Sequence, residues 1–559
     1  LLNDGTSAVS LLYDRLIDQY GVQIFAAAGN SGPGLTSVND PSVATRVMSV
    51  GAYVHSDTLR SLYGIASANL EGLFTFSSRG PRADGGFKPE IVAPGAALSS
   101  VPGWQGDSSL LGKPLPPGYA TFAGTSMAAP QAAGGAALLL SAARQSSMQV
   151  NTDQVRQAIS SGARYLSGYG AHEQGAGIFQ VGAAWSLLRA GIQPVAITSS
   201  APINHSLSPR LVLPNHGPGI YEREGWAAGQ SGERTITFTR TSGPAGPVTY
   251  NLSFTGNDGA FTTGRSITLP LNTPTRLAVT VAPATPGVHS AVLNLDDPAT
   301  PGIEYRVLNT VVAAEQMPEP DTFATSVSGT VAPIDRTTFY YHVPAGTGAF
   351  EVRMRVASGS VRMTRVEPAG LPIESSFYCS AGADCESGVG WVIRTISDPT
   401  PGVWEVTLEA APDATARPAA FTIAGLLLGV SAEPSTWAVD PAPVGSTVSR
   451  NLTFTNRFRP YTGTSTGTNL DSVFTARPTI AQGGQWTSTV QVEPLSTSLT
   501  AKIGNFSDPR ADLRLYALDP SGRPVDLPIS NPAPGRYTVV VEAVSVPAGL
   551  TQFDYEDYF

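Results

Sequence analysis

Ser126 is the residue whose surroundings most favour a chemical role. It follows Gly124 and Thr125 and opens a run of small residues, "AGTSMAAPQAAGGAALLL" at 123–140. A serine ahead of a helix is most often an N-cap. A serine at the N-terminus of a buried helix also lies in a positive field that favours nearby negative charge. The residue types at this position therefore leave two roles open, a helix cap and a nucleophile.

Asn30 is the second residue with a chemical interpretation. It ends the apolar run "VQIFAAAGN" at 22–30 and precedes the loop sequence "SGPG". An amide at the carboxyl edge of a parallel sheet can project toward a ligand. An amide aimed at a developing oxyanion is also a strong transition-state donor. The alternative interpretation is an ordinary turn residue.

The elements that must position these residues alternate between helices and strands up to residue 196, which predicts an α/β domain. Apolar residues at helical spacing predict a helix that Gly21 ends. The predicted helices are 7–20, the segment after Ser126, 152–163 and 181–191. Short apolar runs predict buried strands, at 22–30, 46–54, 72–78 and 90–95.

Small side chains and acidic residues add two expectations for this domain. The alanines and glycines after Ser126 predict a helix slim enough to be buried on all sides, and Pro130 lies near its first turn, where a missing N–H costs least. Asp4, Asp14 and Asp18 are expected to flank a helix or to face solvent.

After residue 200 almost every segment has the alternation of a half-buried strand, broken by Gly, Pro, Asn and Asp, which predicts β-sandwiches. We expect about three all-β modules, at 200–316, 320–430 (jelly-roll or Ig-like) and 435–559. Residues 396–410 and 529–543 agree at eight of fifteen positions. Each has a Pro-x-Pro-Gly turn, which predicts an edge strand because proline cannot donate to the ladder. The likeness indicates either a repeat or the general similarity of sandwich strands.

The composition disfavours several other classes of protein. Lys and Arg number 34 against 43 acidic residues, for a net charge of −9, and no basic run occurs, so no nucleic-acid partner is expected. No apolar segment approaches 18 residues, so no transmembrane segment is predicted. Compact acidic clusters and Cys/His ligand patterns are lacking, so we expect neither a metal nor another cofactor.

Four segments resemble subtilisin-like serine peptidases in their order and approximate spacing. They are "AAAGN" ending at Asn30, "FSSRGP" at 76–81, "KPEIVAPG" at 88–95 and "GTSMAAP" around Ser126. Other segments of the sequence, for example "EQGAGIFQV" at 173–181, are similar to the tripeptidyl-peptidase II branch. The resemblance covers residues 1–196 and implies the C-terminal half of a subtilisin-like parallel-sheet domain.

This resemblance implies a role for each candidate residue. Ser126 would be the nucleophile that forms an acyl-enzyme, and its backbone N–H would form the oxyanion hole with the Asn30 side chain. Ala27, Ala28 and Gly29 would form a wall of the substrate pocket, and the implied substrate is a peptide or a protein. The remaining implied substrate-binding residues are Gly124 and Thr125.

The base that such a nucleophile requires is missing from the expected place. The mechanism needs a His oriented by an Asp, and in subtilisins both precede the serine in the chain. The 29 residues before Asn30 contain no His, and none of the six histidines has the family's context; His172 is expected to be a surface or structural residue. The six are His55, His172, His205, His216, His289 and His342.

Two explanations for the missing base remain open. We expect a fragment of a longer enzyme whose N-terminal half supplies the Asp and the His, so that this chain alone hydrolyses no peptide bonds. The alternative is a non-enzymatic binding or adhesion protein made of β-sandwich modules, with a vestigial peptidase segment. The resemblance also leaves room for a homo-oligomer.

Cys379 and Cys385 are the two cysteines of the sequence and lie in "YCSAGADC". They form either a small disulfide loop or a pair of reduced thiols. A disulfide together with tandem sandwiches favours a secreted or cell-envelope location. The tripeptidyl-peptidase II resemblance also allows the cytoplasm.

Overall fold

The computed structural model describes residues 2–104, 115–317, 323–373, 378–382, 391–413, 415–434, 449, 451–459, 473–494 and 496–559. The chain forms two compact units, Leu1–Tyr461 and Thr462–Phe559. Across the described ranges, no helix has both the length and the hydropathy that crossing a bilayer requires.

The first part of unit one mixes helices and short strands, which confirms the predicted α/β character. Its helices are α1 (Ala8–Tyr20), α2 (Ser56–Thr58), α3 (Thr125–Gln145), α4 (Thr152–Ser161), α5 (Ala171–Gln174) and α6 (Val181–Arg189), with a π-helical turn at Leu59–Tyr63. Its strands are β1 (Phe25–Ala27), β2 (Met48–His55), β3 (Glu71–Leu73), β4 (Ile91–Pro94), β5 (Ala96–Ser100) and β6 (Tyr119–Ala123).

Strand β2 is the centre of the α/β sheet. It pairs in parallel with β1 and β4 and antiparallel with β3. Strands β5 and β6 form a hairpin that leads directly into α3. Met48, Val50 and Ile91 of the sheet pack against the alanines of α3. The end of β1 and the start of α3 are therefore brought to the same side of the sheet, which places Asn30 near Ser126.

Helix α1 has the limits that its sequence predicts. Ser7 Oγ accepts a hydrogen bond from the Ser10 N–H, and Gly21 ends the helix with a left-handed φ of 62°. Asp4 lies just before α1, as a helix-flanking residue is expected to, and it is buried rather than facing solvent. Its Oδ1 accepts from both the N–H and the hydroxyl of Thr6.

Helix α3 is buried on one face only, so the expectation of burial on all sides is wrong. Ala128, Ala132 and Ala136 contact the sheet. At Gly135 a side-chain carbon would lie 2.6 Å from the ring of Phe179, so glycine permits that close approach. The opposite face is exposed, and Leu138 there is 62% exposed. Small residues allow another element to pack closely on a helix, but they do not show which face of the helix that element covers.

The second part of unit one is a β-sandwich in which β7 joins both layers. Its strands are β7 (Ile197–Asn204), β8 (His216–Gly217), β9 (Tyr221–Ala227), β10 (Gly232–Arg240), β11 (Val248–Thr255), β12 (Phe261–Thr263), β13 (Ser266–Leu269), β14 (Thr275–Val281), β15 (Gly287–Asp296) and β16 (Tyr305–Ala314). They are hydrogen-bonded in the order β12-β14-β10-β7-β9-β16-β15-β11-β13, with β8 beside β7. Phe238, Leu293 and Val311 contribute to the core between the layers.

The third part of unit one is a second sandwich with a short hairpin after it. Its strands are β17 (Ala324–Val331), β18 (Arg336–Val343), β19 (Ala349–Ser358), β20 (Ser360–Val366), β21 (Cys379–Ser380), β22 (Val392–Ser397), β23 (Gly402–Ala410), β24 (Ala419–Leu428), β25 (Val430–Glu433) and β26 (Thr453–Asn456). The sheet orders are β17-β24-β19-β22 and β18-β23-β20-β21. Tyr341, Phe350 and Trp404 lie in the core.

Unit two is a further sandwich. Its strands are β27 (Val473–Ala476), β28 (Thr479–Ala481), β29 (Gln485–Val492), β30 (Ser498–Gly504), β31 (Asp512–Leu518), β32 (Pro524–Val525), β33 (Ile529–Ser530), β34 (Gly535–Ser545), β35 (Leu550–Gln552) and β36 (Asp554–Tyr558). Its two four-stranded sheets have the orders β27-β36-β30-β33 and β29-β34-β31-β32, and β28 pairs with β35.

The sequence repeat corresponds to a repeat of topology. Strands β23 and β34, which follow the two Pro-x-Pro-Gly turns, each occupy the second position of a four-stranded sheet that ends in a two-residue strand. Both are interior strands, so the prediction of edge strands is wrong. The prolines precede the strands, which begin at Gly402 and Gly535. Because neither strand contains proline, all of their N–H groups can donate to neighbouring strands.

Candidate active site

Ser126 is an exposed residue in the first turn of α3. The helix begins at Thr125, and its N-cap residue is Gly124, which has no side chain to make a capping hydrogen bond. Ser126 therefore lies inside the helix rather than at the cap. The cap interpretation of Ser126 is wrong, and its hydroxyl is presented to solvent at the N-terminal end of a 21-residue helix.

The Asn30 side chain has a defined orientation three residues after β1. Its Oδ1 accepts hydrogen bonds from the Thr125 N–H at 3.0 Å and from the Thr125 hydroxyl at 2.9 Å. The Thr125 hydroxyl in turn accepts from the Gly29 N–H at 3.2 Å. Because the oxygen of the amide is held by Thr125, the Nδ2 end is directed away from that residue.

Asn30 Nδ2 and the Ser126 N–H border one small space. A side-chain carbon on Gly124 would lie 3.4 Å from Asn30 Nδ2 and 3.6 Å from the Ser126 nitrogen. Gly124 has a φ of 167°, which is extended backbone that any residue adopts. Conformation therefore does not require glycine at this position, and a side-chain carbon there would contact Asn30 Nδ2, the Ser126 nitrogen and Met127 Sδ, the last at 3.6 Å.

The residues expected to form the pocket wall differ in exposure. Ala27 and Gly29 are partly exposed, whereas Ala28 is fully buried against Val38 and Val43. The Ala28 side chain therefore does not line an open pocket, contrary to expectation. Ala27 and Gly29 stay in place as candidates beside Asn30, with Gly124 and Thr125 across from them.

Ser78 holds the backbone on both sides of Asn30, a role that sequence reasoning did not identify. Ser78 N–H donates to Gly29 O at 2.9 Å, and Ser78 Oγ accepts from the Ser31 N–H at 3.0 Å. A side-chain carbon on Gly29 would lie 2.7 Å from Ser78 Oγ. The "FSSRGP" motif pointed to this segment but not to this contact.

Arg79, the next residue, is a buried charge under the same loop. Its Nη1 donates to Pro33 O at 2.9 Å. Its Nε lies 3.1 Å from Glu173 Oε1, and Arg336 contacts the same carboxylate from the second sandwich. Burial lowers the pKa of Arg79 to about 10, so the guanidinium is charged at neutral pH.

Five of the six histidines, His55, His172, His205, His216 and His289, make hydrogen bonds with other partners. His55 caps α2, and His205 Nε2 donates to Ala83 O at 2.7 Å. His289 is held at both ring nitrogens, by Asp258 Oδ2 at 2.6 Å and by Thr285 O at 2.8 Å, so this Asp–His pair has no nitrogen left to act as a base. No hydrogen bond joins a histidine to Ser126 in the part of the chain that the structure describes.

His172 is a structural residue, as the sequence suggested. It is buried, and its Nδ1 lies 2.8 Å from Ser290 Oγ of β15. Burial, together with the nearby Arg79 and Arg336, lowers the pKa of His172 well below its ordinary value, so the ring is neutral. His172 therefore packs the α/β part against the first sandwich.

The remaining candidates are the cysteines and metal ligands. Cys379 is buried and disulfide-bonded. Cys385 lies outside the described residues, so the pairing of the two stays a prediction. Among the described residues, no three His, Cys, Asp or Glu side chains are grouped so as to hold a metal ion.

Comparisons with known families match two parts of the chain. Residues 3–177 match the model of the subtilase family. Residues 198–313 match the model of an Ig-like domain in actinomycete serine proteases. The matched ranges correspond to the α/β part and to the first sandwich.

Individual relatives extend this likeness. Pyrolysin of Pyrococcus furiosus is 28% identical over 97% of this chain and 39% of its own length. Tripeptidyl-peptidase 2 of Caenorhabditis elegans is 32% identical over 38% of this chain and 14% of its own. The crystal structure of tripeptidyl peptidase 2 (TPP II) has a similar fold, with a TM-score of 0.58 at 17% identity over 100% of this chain and 47% of that chain. This chain thus spans less than half the length of these relatives.

Proposed function

We propose that this chain, whose residues 3–177 match the subtilase family of serine peptidases, carries the nucleophile and the oxyanion-binding donors for hydrolysis of a peptide bond. The observation that carries the proposal is the exposed Ser126 hydroxyl beside the space bordered by Asn30 Nδ2 and the Ser126 N–H. Two donors converging on one point are what a tetrahedral oxyanion requires.

The reaction follows from this arrangement. Ser126 Oγ attacks the carbonyl carbon of the substrate while a base takes the hydroxyl proton, and the carbonyl oxygen becomes an oxyanion between the two donors. The C–N bond then breaks, and the amine leaves with that proton. Water hydrolyses the resulting ester on Ser126 by the same steps and releases the acid. The N-terminal field of α3 adds to the stabilisation of the oxyanion.

We further propose that the histidine base and its aspartate come from a preceding segment of the same catalytic domain. Apolar side chains are exposed on two helices of the α/β part, Val9 and Leu12 on α1 and Leu138 on α3. Apolar groups at helix faces of this kind favour coverage by another part of the protein. On this proposal residues 1–559 alone do not hydrolyse peptides.

Labelling with a fluorophosphonate, which reacts with activated serines, tests the proposed function. We expect Ser126 to be labelled in a longer protein that includes the preceding segment, and to be unlabelled at that rate in residues 1–559 alone. Ser126→Ala abolishes labelling and peptide hydrolysis, whereas Ser141→Ala, an exposed serine on the same helix, leaves both unchanged. Full hydrolysis by the Ser126→Ala variant would overturn the proposal.

Export from the cytoplasm is the location we propose. It is supported by the disulfide at Cys379, because disulfides persist mainly in oxidising compartments. The match of residues 198–313 to an Ig-like domain in actinomycete serine proteases agrees with this location. Cell fractionation with antibody detection tests it.

A further inference from the structure

We propose that Glu405 of the second sandwich and Tyr221 of the first are positioning residues for Asn30, acting through the segment 31–38, which we call the Asn30 loop. The proposal rests on the proposed function for its catalytic consequence. It assigns to the two sandwiches a direct part in forming the oxyanion site.

The near end of the Asn30 loop is held by the α/β part itself. Ser31 N–H donates to Ser78 Oγ at 3.0 Å, and Gly32 N–H donates to Phe76 O at 2.9 Å. A side-chain carbon on Gly32 would lie 2.3 Å from Ser77 O, so the loop lies directly on the 76–78 segment. These contacts set the direction in which the loop leaves Asn30.

The middle of the loop is held by Glu405. This glutamate lies on β23, is fully buried, and accepts a hydrogen bond through Oε2 from the Leu35 N–H at 3.2 Å. Arg223 Nη1 of the first sandwich lies 3.8 Å from the same oxygen. Burying a carboxylate costs free energy, and a buried ion pair often adds little to stability. A role in positioning the loop would account for a glutamate at this place.

Tyr221 and an apolar cluster contact the far end, which the Ser37 N–H also ties to Arg79 O at 2.9 Å. Tyr221 hydroxyl lies 3.0 Å from Thr36 Oγ1. The Leu35 side chain is buried with Val312 of β16 and with Tyr340 and Val403 of the second sandwich. Both sandwiches therefore contact the loop within six residues of Asn30.

The geometry of the donors makes such positioning consequential. An oxyanion donor must lie about 2.7–3.1 Å from the oxygen it stabilises, and a misplacement of about 1 Å can reduce a rate by about 10²-fold. Thr125 fixes the Asn30 amide from one side only. A loop released at Leu35 or Thr36 lets the Asn30 backbone shift against that contact, which lowers kcat more than it changes KM.

The first test compares three variants in the longer protein that hydrolyses peptides. Glu405→Met removes the acceptor for Leu35, and we expect a loss of roughly tenfold in kcat with KM nearly unchanged. Glu405→Gln keeps an acceptor oxygen and is expected to restore most of kcat. Glu351→Met is the matched control, since Glu351 is a buried carboxylate of the same sandwich that binds Arg353 and Thr395 instead of the loop.

A double-mutant cycle separates positioning from general stability. If Glu405 acts through Asn30, adding Glu405→Met to Asn30→Ala causes no further loss of kcat. If the losses multiply, or if Glu351→Met loses as much kcat as Glu405→Met, the proposal is wrong. If Glu405→Met does not fold, the same cycle is measured with Tyr221→Phe, which removes only the hydroxyl that contacts Thr36.

Hydrogen exchange on residues 1–559 tests the structural half without any activity. We expect faster exchange in peptides that span 30–38 in Glu405→Met and Tyr221→Phe, and unchanged exchange there in Glu351→Met. Unchanged exchange in all three would overturn the inference even if Ser126 is the nucleophile. Faster exchange in a protein with no Ser126-dependent hydrolysis would instead refute the proposed function and leave the loop contacts established.

Discussion

The Oδ1 atom of Asn30 accepts two hydrogen bonds from Thr125, one from the backbone N–H and one from the hydroxyl. The residue before the candidate nucleophile therefore orients the amide that lies beside it. This relationship joins the end of β1 to the start of α3, and it makes Thr125 a positioning residue whose hydroxyl can be removed separately.

Thr125→Val keeps the shape of the side chain and removes the hydroxyl. One of the two bonds to Asn30 is lost, and the Gly29 N–H loses its acceptor. A net hydrogen bond contributes about 1 kcal/mol, so we expect kcat to fall about fivefold while KM changes little. Thr125→Ser keeps the hydroxyl and is expected to retain activity. Steady-state kinetics of the longer protein give the answer, and equal losses in both variants would contradict the assignment.

Asn30→Ala removes the side-chain donor from the oxyanion space. We expect kcat to fall by about 10²–10³, a magnitude that itself comes from measurements on a subtilisin. KM should change less than threefold, because the donor acts on charge that develops in the transition state. Asn39→Ala, at an exposed asparagine of the neighbouring segment, is the control. A loss confined to KM would indicate that Asn30 binds substrate only.

Gly124→Ala tests the space between the two donors. The new methyl group would lie 3.4 Å from Asn30 Nδ2 and 3.6 Å from the Ser126 nitrogen, in the space proposed for the oxyanion. The φ of 167° tolerates alanine, so folding should be preserved and kcat should fall by at least tenfold.

Gly134→Ala is the matched control for that substitution. It lies on the exposed face of α3, and nothing is within 4 Å of its side-chain position. We expect full activity and a gain of about 0.5–1 kcal/mol in the free energy of unfolding, because alanine favours a helix interior. Normal kcat in Gly124→Ala would show that the space is not used.

The buried His172 predicts a pH dependence of stability. Its pKa is lowered well below the ordinary value by burial, so the native ring stays neutral while the unfolded ring takes up a proton below about pH 6.5. The stability contributed by the neutral site is therefore present above that pH and declines as the pH falls, by up to about 1.4 kcal/mol per pH unit.

Urea unfolding from pH 7.5 to pH 5 tests this dependence. His172→Asn keeps a donor near Ser290 and cannot take up the proton, so its deficit relative to the unsubstituted protein should shrink as the pH falls. The exposed His216→Asn should parallel the unsubstituted protein. A constant deficit for His172→Asn would show that the histidine does not titrate on unfolding.

Leu138→Asp tests whether the exposed face of α3 is covered in the longer protein. Leu138 is 62% exposed here, so residues 1–559 should lose no more than about 0.5 kcal/mol. If a preceding segment packs on this face, the longer protein buries an unpaired charge and its Tm should fall by at least about 3 °C. Leu213 lies outside α3 and is equally exposed at 62%, so Leu213→Asp should leave the Tm of both proteins unchanged. An unchanged Tm for Leu138→Asp in the longer protein would refute coverage of this face.

Local sequence determined many of the elements and pointed to the candidate reactive residues. Ser7 and Gly21 set the ends of α1, and the segments around Asn30 and Ser126 indicated the family, because capping, turn chemistry and close backbone approach depend on neighbours in the chain. The likeness of 396–410 and 529–543 left a repeat open, and the structure shows two sandwiches with the same strand order.

Tertiary structure decided which distant groups contact the Asn30 loop and which faces are covered. Glu405 contacts Leu35 across 370 residues, and Tyr221 contacts Thr36 across 185, and no local pattern encodes such pairs. The small residues of α3 allowed close packing on any side, yet the sheet covers only one. The Pro-x-Pro-Gly turns suggested edge strands and instead lead into interior ones. In each case the sequence constrains what a residue tolerates, and packing between elements selects the partner.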